Sequence, residues 1–202
     1  MSNYGIYNRL LRPAGTPEDA NNAAYDDAVQ RGIIALGILP PGSALSETRL
    51  ESNGWSLGSG DYPAFSHTRE HNAIRGVSAG AVIGRRCRIG GHSSVSGITF
   101  TDTSDPGATE LVRIGPGAAV SFIGCTFRRG EDSNSGHVYV SDAGAGVVAA
   151  VVSFVGCTFV GGGTVPIDNA SGAAAKVQAI GCVNLTGNAT LGTVTETGTV
   201  GI

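Results

Sequence analysis

The stretch Ile-Gly-Cys-Thr-Phe at residues 123–127 returns almost unchanged as Val-Gly-Cys-Thr-Phe at residues 155–159. A related segment, Val-Ser-Gly-Ile-Thr-Phe, precedes them at residues 95–100, and Ile-Gly-Cys-Val follows at residues 180–183. The glycines of these four segments are separated by steps of 27, 32 and 25 residues. A motif that recurs at such intervals is typical of a solenoid, in which each repeat forms one coil.

A second element, Arg-Ile-Gly, occurs at residues 88–90 and again at residues 113–115. Each coil therefore contains at least two short strands separated by turns. Equivalent positions of neighbouring coils stack about 4.8 Å apart, so the repeated side chains should form ladders. The sequence predicts two interior ladders, one made of Cys125, Cys157 and Cys182 and the other of Phe100, Phe127 and Phe159.

The composition favours β-structure built from small residues and tight turns. Of 202 residues, 32 are glycines, 41% are apolar and only 14% are charged. A net charge of −3 gives no electrostatic footprint for nucleic acid or for an anionic membrane. No apolar stretch is long enough to span a bilayer, and the first residues lack the pattern of a secretory signal. We therefore expect a protein made in a cytoplasm, with no nucleic-acid partner and no membrane insertion.

The four cysteines give no sign of a redox or metal motif. They stand at positions 87, 125, 157 and 182, and none is paired with another at the C-x-x-C spacing of zinc ribbons and thioredoxins. Three of them occupy the same place in the repeat, which favours burial as small apolar side chains. Because the chain shows no secretory signal, we expect no disulfides.

The amino-terminal part has the pattern of a helix followed by a strand. Thr16 suits the N-cap, Pro17 suits the first helical position, and acidic residues come next. The pattern predicts a helix over residues 17–32. The apolar residues 33–39 then predict a buried strand, and Pro-Pro-Gly at residues 40–42 predicts a turn.

This order of elements resembles the start of the pectate-lyase-like β-helix family. The similarity begins with Asp-Asp-Ala-Val-Gln at residues 26–30, continues through the Pro-Pro-Gly turn, and covers roughly residues 17–185 by pattern and order. In that family a short helix caps the open end of the coil, and bacteriophage tailspikes and tail fibres often use the fold. The resemblance implies an all-β chain, a short right-handed parallel β-helix of about five to six coils with an N-terminal capping α-helix.

The chain is expected to contain four segments: an anchor at 1–16, the capping helix at 17–32, the β-helix at 33–185, and a strand or tail at 186–202. The anchor contains the apolar residues Tyr4, Ile6, Tyr7, Leu10 and Leu11, which suit docking onto another protein. Residues 191–202 alternate Thr with Gly, Val and Glu, as exposed strands do. Such a strand can pair with other copies of the chain, so we expect a homotrimer.

The resemblance implies a structural virion protein of a bacteriophage, a tail fibre or tailspike component. Its anchor would attach to other phage tail or capsid proteins, and its surface would contact host cell-surface polysaccharide. Two alternatives remain, namely a polysaccharide depolymerase (a glycoside hydrolase or lyase) and a capsid decoration or head fibre protein. We expect no enzyme activity, no cofactor and no metal site.

A depolymerase would need two carboxylates about 5 to 10 Å apart. Glu110 precedes a strand and could face Asp142 or Glu131 across a groove. Nearly all acidic residues of the coil region, however, lie in Gly-, Ser- or Pro-rich turns, where solvated carboxylates are ordinary. The sequence therefore favours turn residues over a catalytic pair.

Residues 67–71, His-Thr-Arg-Glu-His, match the H-x-x-E-H pattern of inverzincin peptidases. That zinc site needs both histidines on one face of a helix. The flanking sequence favours β-structure, so we expect a solvated loop with structural histidines. His92 and His137 stand alone, and no His-x-His motif occurs.

A basic cluster is the remaining candidate for a surface contact. Arg85, Arg86 and Arg88 could stack with Arg128 and Arg129 of neighbouring coils into a positive stripe. Such a stripe would bind acidic sugar or a neighbouring virion protein. The alternative is that these charges only keep outward strand positions from aggregating.

Overall fold

The computed structural model describes residues 38–39, 42, 55–63, 65–67, 72–77, 80–84, 86–102, 110–130, 136–162 and 165–201. Within them the chain is all-β, with parallel strands, one 3-10 turn at Gly172–Ala174 and no α-helix. The same part of the chain contains no helix that is long and apolar enough to cross a membrane. The predicted capping helix at 17–32 and the anchor at 1–16 lie outside the described residues.

The strands are short, most of them three to five residues long. In chain order they are β1 (Ile38–Leu39), β2 (Trp55–Leu57), β3 (Gly60–Tyr62), β4 (Ser66–His67), β5 (Asn72–Gly76), β6 (Ala81–Ile83), β7 (Cys87–Ile89), β8 (Ser93–Ser96), β9 (Thr99–Thr101), β10 (Val112–Ile114), β11 (Ala119–Ile123), β12 (Thr126–Arg128), β13 (Val138–Val140), β14 (Val151–Val155), β15 (Thr158–Val160), β16 (Ile167–Asn169), β17 (Lys176–Ile180), β18 (Val183–Leu185), β19 (Thr195–Thr197) and β20 (Val200–Gly201).

These strands form three parallel sheets that the chain visits in turn. The eight-stranded sheet has the order β1-β2-β5-β8-β11-β14-β17-β19, and the seven-stranded sheet the order β3-β6-β9-β12-β15-β18-β20. The five-stranded sheet has the order β4-β7-β10-β13-β16. From β2 to β16 each circuit adds one strand to every sheet, which is a β-helix-like arrangement. The all-β, parallel part of the fold prediction is confirmed.

The repeated glycines mark the corner between the eight-stranded and seven-stranded sheets. Gly97, Gly124, Gly156 and Gly181 each follow a strand of the eight-stranded sheet and have φ values of 63°, 58°, 59° and 59°. Residues other than glycine rarely adopt this left-handed backbone conformation, so the corner favours glycine. Gly198, with a φ of 63°, makes the same corner after β19.

The predicted phenylalanine ladder is confirmed. The ring centroids of Phe100 and Phe127 lie 5.2 Å apart, and those of Phe127 and Phe159 lie 5.0 Å apart, with nearly parallel planes. A second stack, Phe122 on Phe154 at 5.1 Å, meets the first edge to face. The two stacks fill the interior between the eight-stranded and seven-stranded sheets.

The predicted cysteine ladder is also confirmed. Each ladder cysteine directly precedes a strand of the seven-stranded sheet, and the first residues of these strands pair in register. The three cysteines, Cys125, Cys157 and Cys182, are all buried. Each thiol donates to a backbone carbonyl of the preceding coil, as Cys157 does to Phe122 at 3.4 Å. The neighbouring thiol of Cys125 contributes most to raising the pKa of Cys157 to about 12. Cys157 therefore packs as a neutral thiol, whereas its hydrogen bond with Cys125 lowers the pKa of Cys125.

The segment predicted as a strand that pairs with other copies continues the sheets of its own chain. β19 pairs in parallel with β17, and β20 pairs in parallel with β18. The stacked strands thus extend beyond residue 185, where the sequence placed the end of the coil. The step from Gly181 to Gly198 is only 17 residues, and the Cys-Thr-Phe signature is missing there, which hid this circuit in the sequence.

Candidate surface-contact site

One column of outward side chains on the five-stranded sheet combines cationic, aromatic and acidic groups. Strand pairing aligns Arg88 with Arg113, Arg113 with Tyr139, and Tyr139 with Asp168. Consecutive members are about one strand spacing, roughly 4.8 Å, apart at the backbone. We call these four residues the arginine–tyrosine ladder.

The alternation of the strands explains why this column faces outward. In β7 the exposed Arg88 stands between Cys87 and Ile89, which are both buried. In β10 and β13 the middle residue is likewise partly exposed between two buried apolar residues. Because successive side chains of a strand point to opposite faces, burial of the flanking pair directs the middle residue to solvent.

A buried carboxylate holds two of the arginines. Glu110 Oε1 accepts a hydrogen bond from Arg113 Nε at 2.6 Å and another from Arg86 Nη1 at 3.2 Å. Its side chain is only 3% exposed, whereas both arginines remain about one third exposed. Charge-assisted hydrogen bonds of this kind fix the orientation of a guanidinium group. Glu110 therefore acts as a positioning residue for Arg86 and Arg113.

The guanidinium of Arg113 also lies over an aromatic ring of the next coil. Its Cζ atom is 4.9 Å from the ring centroid of Tyr139, within the range of a cation–π interaction. Arg113 is thus held by a hydrogen bond to Glu110 and by contact with the face of the Tyr139 ring. Arg88, one rung away, is exposed and forms no ion pair with the described residues.

The basic end of the ladder, Arg88 and Arg113 next to Tyr139, suits an anionic group carried on a ring, whereas Asp168 makes the other end acidic. Guanidinium groups match the geometry of carboxylates, and an aromatic ring next to them offers a face for apolar contact. The column runs across parallel strands and therefore repeats at a constant spacing. A sugar that carries a carboxylate has the charge and the ring that the basic end of the column can contact.

The structure separates the arginines that the sequence grouped into one stripe. Arg86 and Arg88 lie at the five-stranded sheet, whereas the exposed Arg128 lies on the seven-stranded sheet, paired in register with Thr101 and Val160. Arg85 lies outside the described residues. The partner that the stripe prediction missed is Arg113. Its signal was the repeated Arg-Ile-Gly, which aligns Arg113 directly with Arg88.

Arg129 is an interior residue, which corrects its place in the predicted surface stripe. Its side chain is fully buried, its Nε donates to Asp102 Oδ2 at 3.3 Å, and its Nη1 donates to the Gly136 carbonyl at 2.6 Å. Asp102 directly follows β9, and Gly136 stands just before β13. Arg129 therefore ties two loops of neighbouring coils together instead of meeting a ligand.

His137 is buried beside this ion pair. Its Nε2 lies 3.0 Å from the Val160 carbonyl, which can only accept, so Nε2 carries the proton. Its Nδ1 has no hydrogen-bond partner within the described part of the chain. Burial is the main cause that lowers the pKa of His137 to about 4, and the charge of Arg129 lowers it further.

This histidine predicts a loss of stability in mild acid. The unfolded chain takes up the proton near the ordinary pKa of 6.5, whereas the folded chain resists it down to about 4. His137 should therefore reduce the free energy of unfolding by roughly 3 kcal/mol in total as the pH falls from about 6.5 to 4.

Urea unfolding of the wild type and of His137→Gln, repeated between pH 7 and pH 4, checks this expectation. The variant should show a shallower decline than the wild type over that range. An unchanged slope in His137→Gln would contradict the assignment.

The carboxylates considered for catalysis are held apart by the strand register. Val112 pairs with Val138, Glu110 lies two residues before β10, and Asp142 lies two residues after β13, so the two carboxylates stand at opposite ends of paired strands. Glu110 is also engaged by two arginines. The expectation that acids of this region are solvated turn residues is wrong for Glu110 and Asp102, which are both buried and ion-paired. Glu131 lies outside the described residues.

The histidine motif at 67–71 begins in a strand. His67 is the second residue of β4, and the rest of the motif lies outside the described residues. The described residues contain no group of three or more His, Cys, Asp or Glu side chains that could hold a metal ion.

The anchor residues Tyr4, Ile6, Tyr7, Leu10 and Leu11 lie outside the part of the chain that the structure describes. The candidate site therefore consists of the arginine–tyrosine ladder with Glu110 and Arg86 behind it. Comparison with known proteins finds no match to a family model, to a curated protein or to a solved structure.

Proposed function

We propose that this chain is a structural virion protein of a bacteriophage, a tail fibre or tailspike component. The observation that carries the proposal is the stack of parallel coils. Five consecutive circuits of three parallel strands pair in register with one another, and three of them enclose the stacked phenylalanines. Such a solenoid is a rigid rod that suits a role in reach and attachment.

The coil is a right-handed β-helix, because crossover connections between parallel strands are right-handed in nearly all proteins. Residues 17–32 form the helix that caps its first coil, and residues 1–16 attach the protein to other tail or capsid proteins. The protein is made in the cytoplasm of the bacterial host and is incorporated into the virion as a homotrimer.

The arginine–tyrosine ladder supplies the contact with the host surface. Glu110 and Tyr139 hold Arg113 at a defined place beside the exposed Arg88. Because this part of the ladder is fixed before any ligand arrives, binding loses less side-chain entropy than it would with free arginines. The ligand class that fits is a cell-surface polysaccharide with carboxylate groups.

Removing both exposed charges should weaken polysaccharide binding. The double variant Arg88→Gln and Arg113→Gln is expected to bind polygalacturonate about 10-fold more weakly than the wild type, since each exposed ion pair contributes up to about 1 kcal/mol. Binding is measured by biolayer interferometry at low salt, with dextran as the neutral ligand. The matched control for the single variant Arg88→Gln is Arg128→Gln, which removes one exposed arginine charge on another sheet and should bind like the wild type. Equal weakening by Arg128→Gln would show that only net charge matters.

The virion role is tested on the particle. Gold-labelled antibody against the purified chain should decorate the tails of phage particles that carry this gene in electron micrographs. Label on the head would favour a decoration or head fibre protein, and unlabelled particles would overturn the proposal. Release of reducing ends from host polysaccharide by the purified chain would instead favour the depolymerase alternative.

A further inference from the structure

The last circuit of the coil leaves a cavity at the corner between the five-stranded and eight-stranded sheets. β17 has five residues, but β19 pairs only with the last three of them, residues 178–180. The chain before β19 instead makes a tight turn, in which the backbone N–H of Val194 donates to the Gly192 carbonyl at 2.9 Å. Only 17 residues separate the corner glycines Gly181 and Gly198, so this short circuit leaves the start of β17 without a strand beside it.

The cavity has the size and the lining of a small-molecule site. Its volume is about 590 Å³, within the range of about 300 to 1,000 Å³ that is usual for such sites. Valines such as Val151 and Val177 give it aliphatic walls, and its polar groups include Asn169, Lys176 and Thr195. Aliphatic walls with a few polar groups bind a ligand and fix its orientation.

Asn169, the last residue of β16, presents a fixed hydrogen-bond acceptor at this cavity. The residue is only 9% exposed, and its Nδ2 donates to the carbonyls of Gly172 at 2.9 Å and Thr193 at 3.3 Å. Because a carbonyl can only accept, the amide group cannot be turned over. Its Oδ1 is buried and has no hydrogen-bond partner within the described part of the chain. A buried acceptor without a donor is unfavourable, so a ligand hydroxyl that donates to Oδ1 gains free energy there.

Lys176 supplies a positive charge to the cavity. It is the first residue of β17, is exposed, and forms no ion pair with the described residues. Two carboxylates nearby are directed elsewhere. Asp168 is exposed on the opposite face of β16 from Asn169, and Glu196 Oε1 accepts from the backbone N–H of Leu191 at 2.8 Å. The ammonium group of Lys176 is therefore open to an anionic ligand.

We infer that this cavity binds one unit of a sugar that carries a carboxylate. A hydroxyl of the sugar donates to Asn169 Oδ1, its carboxylate pairs with Lys176, and the aliphatic walls contact the C–H face of its ring. A neutral sugar lacks a partner for Lys176, and a simple carboxylic acid lacks the hydroxyl for Asn169. The inference rests on the proposed contact with acidic polysaccharide and adds a second site to it, on a later circuit than Arg88 and Arg113.

The first test observes the cavity by NMR in the double variant Arg88→Gln and Arg113→Gln, in which the arginine–tyrosine ladder does not compete for the ligand. Titration of the isotope-labelled full chain with sodium galacturonate should shift the side-chain amide signals of Asn169 and the backbone amide signals of Gly172 and Lys176. Galactose, the same ring without the carboxylate, should bind about 5-fold more weakly. Unchanged signals, or an equal response to the two sugars, would overturn the inference.

The second test fills the cavity with a large side chain. Thr195 and Thr197 are both exposed on β19, and of the two only Thr195 lines the cavity. Thr195→Trp should weaken galacturonate binding at least about 10-fold, because the indole takes the space of the sugar ring. Thr197→Trp is the matched control and should bind like the wild type. Circular dichroism confirms that both variants fold, and equal affinities of the two would contradict a site in the cavity.

The third test removes the charge. Lys176→Gln should weaken galacturonate binding about 5-fold and leave galactose binding unchanged. Arg75→Gln, which removes another exposed cation of the eight-stranded sheet, is the control and should bind like the wild type. Equal weakening by Arg75→Gln would show that net charge, and not the cavity, attracts the ligand.

Failure of this inference is distinguishable from failure of the proposed function. Galacturonate binding that persists in the ladder double variant and is lost in Thr195→Trp supports the cavity site even if phage particles remain unlabelled. Polygalacturonate binding that depends on Arg88 and Arg113 but not on Thr195 would remove the cavity site and leave the proposed contact standing.

Discussion

Replacing Phe127 with alanine is expected to lower the free energy of unfolding by about 4 kcal/mol. Phe127 is fully buried and stacks between Phe100 and Phe159, with centroid distances of 5.2 and 5.0 Å. It also meets Phe122 and Phe154 edge to face. Its removal therefore breaks the first stack at its centre and takes the edge-to-face contacts away from the second.

The expected loss is large because the surrounding coils cannot close the space. The strands above and below Phe127 are held at their spacing by the backbone hydrogen bonds of the parallel sheet. A cavity that cannot collapse adds to the lost transfer free energy of the ring. Phe127→Leu, which keeps most of the apolar volume, should cost about 1.5 kcal/mol.

Urea unfolding monitored by circular dichroism measures these differences. Thr126→Ala is the matched control, since Thr126 is the neighbouring outward residue of β12 and should change stability by less than about 0.5 kcal/mol. A loss below about 1.5 kcal/mol in Phe127→Ala would mean that the coils do relax into the space, contrary to a rigid stack.

The interior of this chain could be predicted because its causes are local. The chain turns from one sheet to the next at glycines with a φ near 60°, so the repeated Gly97, Gly124 and Gly156 mark these corners in the sequence. The residues just after the corner then fall at the same place in each coil. The stacked phenylalanines and thiols follow from that register.

Glu110 and Arg129 were assigned incorrectly because their environment comes from other coils. Nothing beside Glu110 in the sequence shows that Arg86, 24 residues earlier, lies next to it. Arg128 and Arg129 are chemically identical neighbours, yet β12 ends at the first and the second turns inward to Asp102. The unequal loops between repeats conceal which side chains meet across coils.

Breaking the buried ion pair of Arg129 and Asp102 should also have a large effect on the free energy of unfolding. Arg129→Met is expected to lower the free energy of unfolding by about 4 kcal/mol, because it leaves the Asp102 carboxylate without its buried cation. The substitution also removes the donor to the Gly136 carbonyl. Arg128→Met, one residue away on the surface, should change stability by less than about 0.5 kcal/mol.

A double variant separates the loss of the pair from the loss of packing. Adding Asp102→Asn to Arg129→Met removes the uncompensated charge, so the double variant should regain about 2 kcal/mol relative to Arg129→Met alone. Urea unfolding at pH 7 measures the free energy of unfolding of the wild type, Arg129→Met, Arg128→Met and the double variant. The same experiment with Arg129→Lys shows whether a positive charge alone is enough. Lysine has no fork to reach Asp102 and the Gly136 carbonyl together, so it should fall between the wild type and Arg129→Met. If Asp102→Asn gave no recovery, the stability of this region would come from the Gly136 contact and the packing of the arginine stem, and the ion pair would be incidental.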